Sequence, residues 1–198
     1  MTSHSKFHSL KQSHRGFTIV ELMVGVGILG IITVLAIPSL SDFLVRMRVD
    51  NEISQIHRVI LTARNEAINK GINITVCPLN AANTCTANWQ NEISVFIDLD
   101  GDNIYEPSPG NVTDETLLKV KNAIAAGDQL TWSGGNPIIY APTGGITGAG
   151  GLFSYCPSNE DDMARGVIIA ATGRLYQTSD IDSDNKDEDR NGNEINCP

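Results

Sequence analysis

Between Phe17 and Pro38 the chain reads FTIVELMVGVGILGIITVLAIP, an apolar run interrupted by a single carboxylate, Glu21. As a helix rising about 1.5 Å per residue, it extends roughly 33 Å, enough to cross a bilayer. No charged residue occurs from Leu22 to Ser41. An isolated charge near a bilayer centre costs on the order of 2.5–3.5 kcal/mol, less near an end, so Glu21 needs either a partner or a proton. This segment restricts the chain to an architecture with one membrane or filament helix and one globular unit, since 198 residues are too few for two full-sized domains beside it.

Charge is distributed to match. Lys6, Lys11 and Arg15 stand in the first sixteen residues with no acid, while all 23 Asp and Glu residues lie beyond them. The positive-inside rule then predicts a single-pass protein with residues 1–16 cytoplasmic and the rest outside. Beyond Gly16, 11 Lys and Arg face 23 Asp and Glu, a net charge of −12 that repels phosphate backbones and disfavours extended nonspecific nucleic-acid binding. A secretory signal peptide would need a small-residue cleavage site after a shorter apolar core, and Ala36-Ile37-Pro38 is a poor one.

The apolar pattern continues without a break into FLVRMRVDNEISQIHRVILTARNEAINK, Phe43 to Lys70, and ends at Gly71, a plausible C-cap. Val49, Ile53, Ile56, Ile60, Ala63 and Ala67 recur at steps of four and three, which places them on one helical stripe with the charges on other faces. Gly25, Gly27, Gly30 and Pro38 weaken the earlier half, so Gly30 to Pro38 is the natural place for it to bend or melt.

The leader ending in Arg15-Gly16, then Phe17, then Glu21 four residues on, then the apolar helix, resembles the N-terminal signature of the type IV pilin and type II pseudopilin superfamily. The resemblance implies cleavage by a prepilin peptidase between Gly16 and Phe17, with N-methylation of Phe17. It also implies a partner for Glu21, the α-amino group that cleavage creates on Phe17 of a neighbouring subunit. The partners it implies are the prepilin peptidase, other minor and major pilins or pseudopilins, and the inner membrane.

Past Gly71 the pattern changes to short stretches rich in β-branched and aromatic residues: INITVCPL, EISVFIDL, ETLLKVKNA, QLTWSG, NPIIYAP, LFSYCP and GVIIAATGRLY, separated by Asn, Asp, Gly and Pro clusters. They predict one small antiparallel sheet or two, against which the 49/53/56/60/63/67 stripe packs. The fold class is therefore α+β: a long N-terminal helix, membrane-embedded in its first half, on a small antiparallel β domain. The expected divisions are leader 1–16, membrane and assembly helix 17–41, amphipathic continuation 42–71, and a periplasmic β domain 72–198 with an acidic tail 180–198. LTARNEAINKGINITVCP, then Cys85, Trp89, VFIDLDGD and TGRLY, resembles the GspH/FimT branch, which holds pseudopilin H of type II secretion and the minor pilins FimT and FimU.

Cys77, Cys85, Cys156 and Cys197 could pair in three ways, and no CxxC or adjacent His suggests zinc, so disulfides in an oxidising compartment are the better reading. Cys77–Cys85 would staple a short loop and Cys156–Cys197 would tie the tail back; this is the favoured pairing.

Three other features invite functional readings. DLDGDNIYE (Asp98 to Glu106) and DIDSDNKDEDRNGNE (Asp180 to Glu194) have the closely spaced carboxylates and turn residues that suit calcium, with Asp98, Asp100, Asp102, Asp187 and Asp189 as candidate ligands. From Asp187, an EF-hand-like spacing reaches Pro198 at the position that needs a bidentate Glu, so solvated acidic loops with no metal and no cofactor are the expectation. Some FimT-like pilins take up DNA through a GRxR motif, and GRLYQ supplies Arg174 without the second basic residue, which argues against DNA binding. His57, the only His beyond the leader, has no nucleophile motif around it and reads as an exposed helix residue. The Gly-rich Thr143 to Gly151 lacks a following Lys-Ser/Thr and reads as a flexible loop. No enzyme is indicated. The expected function is a minor subunit that primes or caps a type IV pilus; pseudopilin H of a type II secretion system is the alternative, and a DNA-binding minor pilin the third reading.

Overall fold

The computed structural model describes residues 16–107 and 115–197, apart from the side chains of Leu35, Ala36, Pro38 and Ser39. The leader expected over 1–16 lies outside them except for Gly16. The chain divides into two compact units, Met1–Asp42 and Phe43–Pro198.

The main helix, α1 (Ile19–Lys70), is continuous. In the first unit its apolar side chains, including Leu22, Met23, Ile28 and Ile32, are exposed. Among the described residues no helix is long and apolar enough to cross a membrane. The span expected over 17–41 includes the four side chains outside the description. Gly30 and Pro38 lie within the unbroken helix, and Pro38's side chain is one of those four.

In the second unit α1 buries Val49, Ile53, Ile56, Ile60, Ala63 and Ala67, joined by Val59. This is the periodic stripe of the sequence, packed because only that face is free of charge. The helix stops at Gly71, whose positive φ of 67° suits a residue without Cβ and whose N–H donates to Ala67 O at 3.0 Å.

Among the described residues eight strands follow: β1 (Ile74–Pro78), β2 (Ile93–Ile97), β3 (Leu117–Lys121), β4 (Gln129–Trp132), β5 (Ile138–Tyr140), β6 (Gly151–Cys156), β7 (Arg165–Ile169) and β8 (Leu175–Gln177). They form two four-stranded antiparallel sheets, ordered β3-β2-β1-β5 and β4-β6-β7-β8. GVIIAATGRLY, read in sequence as one strand, is a hairpin. It turns at Gly173, because φ of 75° there is open only to glycine at low cost. Both sheets contribute to one core with the helix stripe: Ile74 and Val76, Ile93 and Val95, Leu130, Ile138 and Tyr140, Phe153 and Tyr155, Val167 and Ile169. Trp89 enters it from a loop, edge-on to Phe153 at 5.0 Å.

Charged groups also seal the seam between helix and sheets. Arg48 Nε lies 3.3 Å from Asp128 Oδ2, and that same carboxylate, fully buried, accepts the Tyr155 hydroxyl and, at 2.8 Å, the Ser158 N–H. Asp50 pairs with Arg165, and Glu52 with Lys121 at 2.6 Å. The Gly-rich stretch from Thr143 corrects the expectation of a flexible loop. Gly145 O accepts from Ala141 N, Ile146 N donates to Ala171 O, and Arg64 Nε reaches 3.0 Å from Gly144 O. The Cβ-free Gly173 fits directly beneath Gly144.

Candidate functional site

At the N-terminus, Phe17 is exposed and Thr18 is the helix N-cap. Thr18 Oγ1 accepts the Glu21 N–H at 3.2 Å while Glu21 Oε2 accepts the Thr18 N–H at 3.0 Å and its hydroxyl at 3.1 Å. This reciprocal pair is a capping box, which satisfies two helix-terminal donors at once. It gives Glu21 a partner within its own chain, which the sequence reading had sought only in a neighbour. The signal was available as Thr-x-x-Glu ahead of an apolar run.

Disulfides join Cys77 to Cys85 and Cys156 to Cys197. The first closes the loop after β1. The second, spanning 41 residues, anchors the acidic tail to β6, where Cys156, Ala164 and Ile195 form a small second core.

The two acidic loops share one backbone plan. Asp98 accepts from the N–H groups of Gly101 and Asn103, Asp100 from Asp102, and Asp102 from Ile104. Asp180 accepts from Ser183 and Asn185, Asp182 from Asp184, and Asp184 from Lys186, at the same offsets. Both loops hold positive φ at the fourth and sixth residues: Gly101 and Asn103 in one, Ser183 and Asn185 in the other. Each also lays a buried glutamate on the N–H of its second residue: Glu115 on Leu99 at 3.0 Å, Glu188 on Ile181 at 2.6 Å. Glu115 also accepts the Glu106 N–H, at 3.0 Å. Burial pushes the Glu115 carboxyl above the ordinary carboxylate range, against the lowering effect of its two hydrogen bonds, and Asp98 and Asp100 push it further up.

Of the candidate ligands, Asp98, Asp100 and Asp102 come together, with carboxylate oxygens within 4.8 Å of one another. Among the described residues, Asp187 and Asp189 join no such group. Asp187 turns inward, accepting the Thr178 hydroxyl at 2.8 Å and facing Arg165 Nε at 3.7 Å, and Asp189 closes a turn by accepting from Asn191 and Asn193. In the tail the residues that converge are Asp180, Asp182, Asp184 and Glu188. Spacing counted from Asp187 missed them; counting from Asp180 would have aligned the first three.

Arg174 is exposed, and Arg190 lies over the Tyr176 ring at 3.8 Å. The Tyr176 hydroxyl is drawn below the ordinary phenol range, chiefly by the hydrogen bond from Arg174; burial opposes this, and the charges of Arg190 and Arg174 add to the lowering. His57 is half-buried on α1 rather than exposed, because its neighbours Ile56 and Val59 face the core.

Comparison with known proteins matches two separate stretches of the chain. The family described as "Type II transport protein GspH" matches residues 52–173, and the "Prokaryotic N-terminal methylation motif" matches residues 11–37. A "Fimbrial protein" of Pseudomonas aeruginosa is 36% identical over 63 residues, 32% of this chain and 40% of that protein, so the match spans well under half of the curated relative. Among solved structures, the type IV minor pilin FimU of Pseudomonas aeruginosa superposes with a TM-score of 0.52 at 16% identity, covering 68% of this chain and 90% of FimU, a likeness of fold. The minor pseudopilin EpsH of the Vibrio cholerae type 2 secretion system gives 0.47 at 15% identity, over 67% of this chain and 97% of that one. With the GspH match running from the last third of α1 through β7, over more than half of the chain, and the methylation motif ahead of it, the chain belongs to the Type II transport protein GspH family.

Proposed function

We propose that this chain is a minor pilin subunit, made as a precursor, cleaved between Gly16 and Phe17, methylated on Phe17 and built through α1 into a type IV pilus. The observation that carries the reading is the methylation motif over 11–37 set directly on the exposed apolar half of α1. A helix that exposes Leu22, Met23, Ile28 and Ile32 requires lipid or other apolar helices around it. In this reading the segment 17–41 is held in the inner membrane before assembly, with the β domain in the periplasm.

Cleavage after Gly16 leaves the Thr18 N–H in place, so the capping box survives processing and Glu21 Oε1 is free to meet the Phe17 amine of a neighbouring subunit. Gly30 and Pro38 are the points at which α1 would loosen on assembly. The part played is structural rather than catalytic: priming or capping assembly with other pilins.

The GspH family description favours one second reading, the minor pseudopilin of a type II secretion system. Deleting the gene in its host separates the two. Loss of surface pili with protein secretion intact supports the pilin; loss of secretion with pili intact supports the pseudopilin. Intact mass of the protein recovered from membranes, with and without the peptidase, tests processing at Gly16. A mature form starting elsewhere than methylated Phe17 overturns it.

A further inference from the structure

The acidic tail carries a feature that subunit assembly does not use. Asp180, Asp182, Asp184 and Glu188 each bring a carboxylate oxygen within 4.8 Å of the others. Among the described residues, no Lys, Arg or His forms an ion pair with any of the four. Lys186, the cation inside the loop, points its ammonium to Glu194 at 3.2 Å and Asp162 at 3.5 Å. Arg190 is held over Tyr176, and Arg165 between Asp50 and Asp187.

A second observation is independent of the clustering. Glu188 is 4% exposed, its Oε2 accepts the Ile181 N–H, and its Oε1 is buried with no hydrogen-bond partner. A buried carboxylate oxygen without a donor is costly, and three further carboxylates around it raise the cost. A hard cation that takes several oxygen ligands removes both penalties.

The first acidic loop is the contrast. It gathers three carboxylates rather than four, and Asp98 is filled on both oxygens, by Gly101 N on Oδ1 and by Asn103 N and Thr75 Oγ1 on Oδ2. Glu115, which stands where Glu188 stands, is also filled on both, by Leu99 N and Glu106 N. The one unpartnered buried oxygen in that loop, Asn103 Oδ1, belongs to the neutral amide of a half-buried residue. Asp180 is likewise met on both oxygens, by Ser183 N on Oδ1 and Asn185 N on Oδ2, so the loops part at the glutamate: Glu115 is satisfied on both oxygens and Glu188 on one, with a fourth carboxylate added to the group.

We propose that Asp180, Asp182, Asp184 and Glu188 bind one calcium ion. The ion fixes the tail onto the body alongside the Ser179–Glu188 bridge and the Cys156–Cys197 disulfide. The site does not depend on which filament the chain enters.

The test uses the full-length protein in detergent micelles, stripped with a chelator and titrated with calcium chloride, and separately with magnesium chloride, by calorimetry. The expected result is one calcium per chain at up to about 1 mM, with a rise in melting temperature, and binding weakened about tenfold or more in Glu188→Gln and in Asp182→Asn/Asp184→Asn. Asp100→Asn/Asp102→Asn binds as wild type does. Melting of each variant without calcium, compared with the chelated wild type, shows whether it folds. The exposed pair Asp182 and Asp184 decides the matter if Glu188→Gln does not fold. No calcium uptake by the wild type at that concentration overturns the proposal. Uptake unchanged in the tail variants, or lost only in the first-loop variant, does the same.

Discussion

Lys121 Nζ, at the end of β3, lies 2.6 Å from Glu52 Oε2 on α1, with the lysine side chain 1% exposed and the glutamate 14%. Lys121 also donates to Asn122 O at 3.0 Å. Ionic contacts from α1 to the sheets repeat this arrangement at Arg48–Asp128 and Asp50–Arg165, so α1 is held to the body by charge as well as by its apolar stripe.

Removing one partner of so buried a pair leaves the other without compensation. Glu52→Met or Lys121→Met alone should destabilise the body by about 3–5 kcal/mol, whereas the apolar double replacement Glu52→Met/Lys121→Met should come within about 1 kcal/mol of wild type or exceed it. Urea unfolding of all four proteins closes the cycle. Singles that add up to the double would mean the pair contributes no coupling.

Gly173 turns the β7–β8 hairpin at φ of 75°, and a Cβ there would lie 1.8 Å from Gly144 O, a backbone atom that cannot move aside cheaply. Gly173→Ala should therefore cost about 2–4 kcal/mol, the sum of left-handed strain and a displaced loop. Gly71→Ala is the control, because it carries the same strain at φ of 67° but meets nothing within 4 Å, and should cost about 1 kcal/mol. Equal losses in thermal melts would remove the steric part of the argument.

The Glu115 carboxyl, raised chiefly by burial, should make stability depend on pH with a definite sign. The folded state holds this proton more tightly than the unfolded chain, whose ordinary value is 4.5. Its contribution is thus full below 4.5 and lost as pH rises through the raised folded value. The stability difference between wild type and Glu115→Gln, measured in chelator-containing buffer from pH 4 to pH 8, should move against wild type with increasing pH. A difference that is flat, or that grows in favour of wild type, contradicts the assignment.

The Cys156–Cys197 bridge closes a 41-residue separation. Cys156→Ala/Cys197→Ala should lower stability by about 2–4 kcal/mol through the freer unfolded chain. Limited proteolysis should then cut first within residues 180–197 while the rest of the body stays intact. Cleavage elsewhere first would show that the tail is held without the bridge.

Features whose physics is local were legible in the sequence. The stripe from Val49 to Ala67, the stop at Gly71 and the strand positions follow from apolar periodicity and turn chemistry, which act over a few residues. The Thr18–Glu21 box is equally local, spelled by Thr-x-x-Glu ahead of the apolar run. The β7–β8 hairpin was read as one strand, since Ala170 to Gly173 carries no strong turn dipeptide apart from Thr172-Gly173.

What the residues of this chain determined by themselves was a long helix with two different halves, a glycine-phenylalanine junction at its head and a β-rich, acidic remainder. Only the tertiary structure decided which charges meet. Glu52 and Lys121 are far apart in sequence and become partners because β3 takes the edge of the first sheet. Asp98 is closed by Thr75 because β1 and β2 pair so that Ile74 faces Ile97. Asp187 turns in to Thr178 while Glu188 stays beside Asp180 with one oxygen unanswered. Electrostatic partnership depends on distance through space and on loss of water, and neither is written in spacing along the chain.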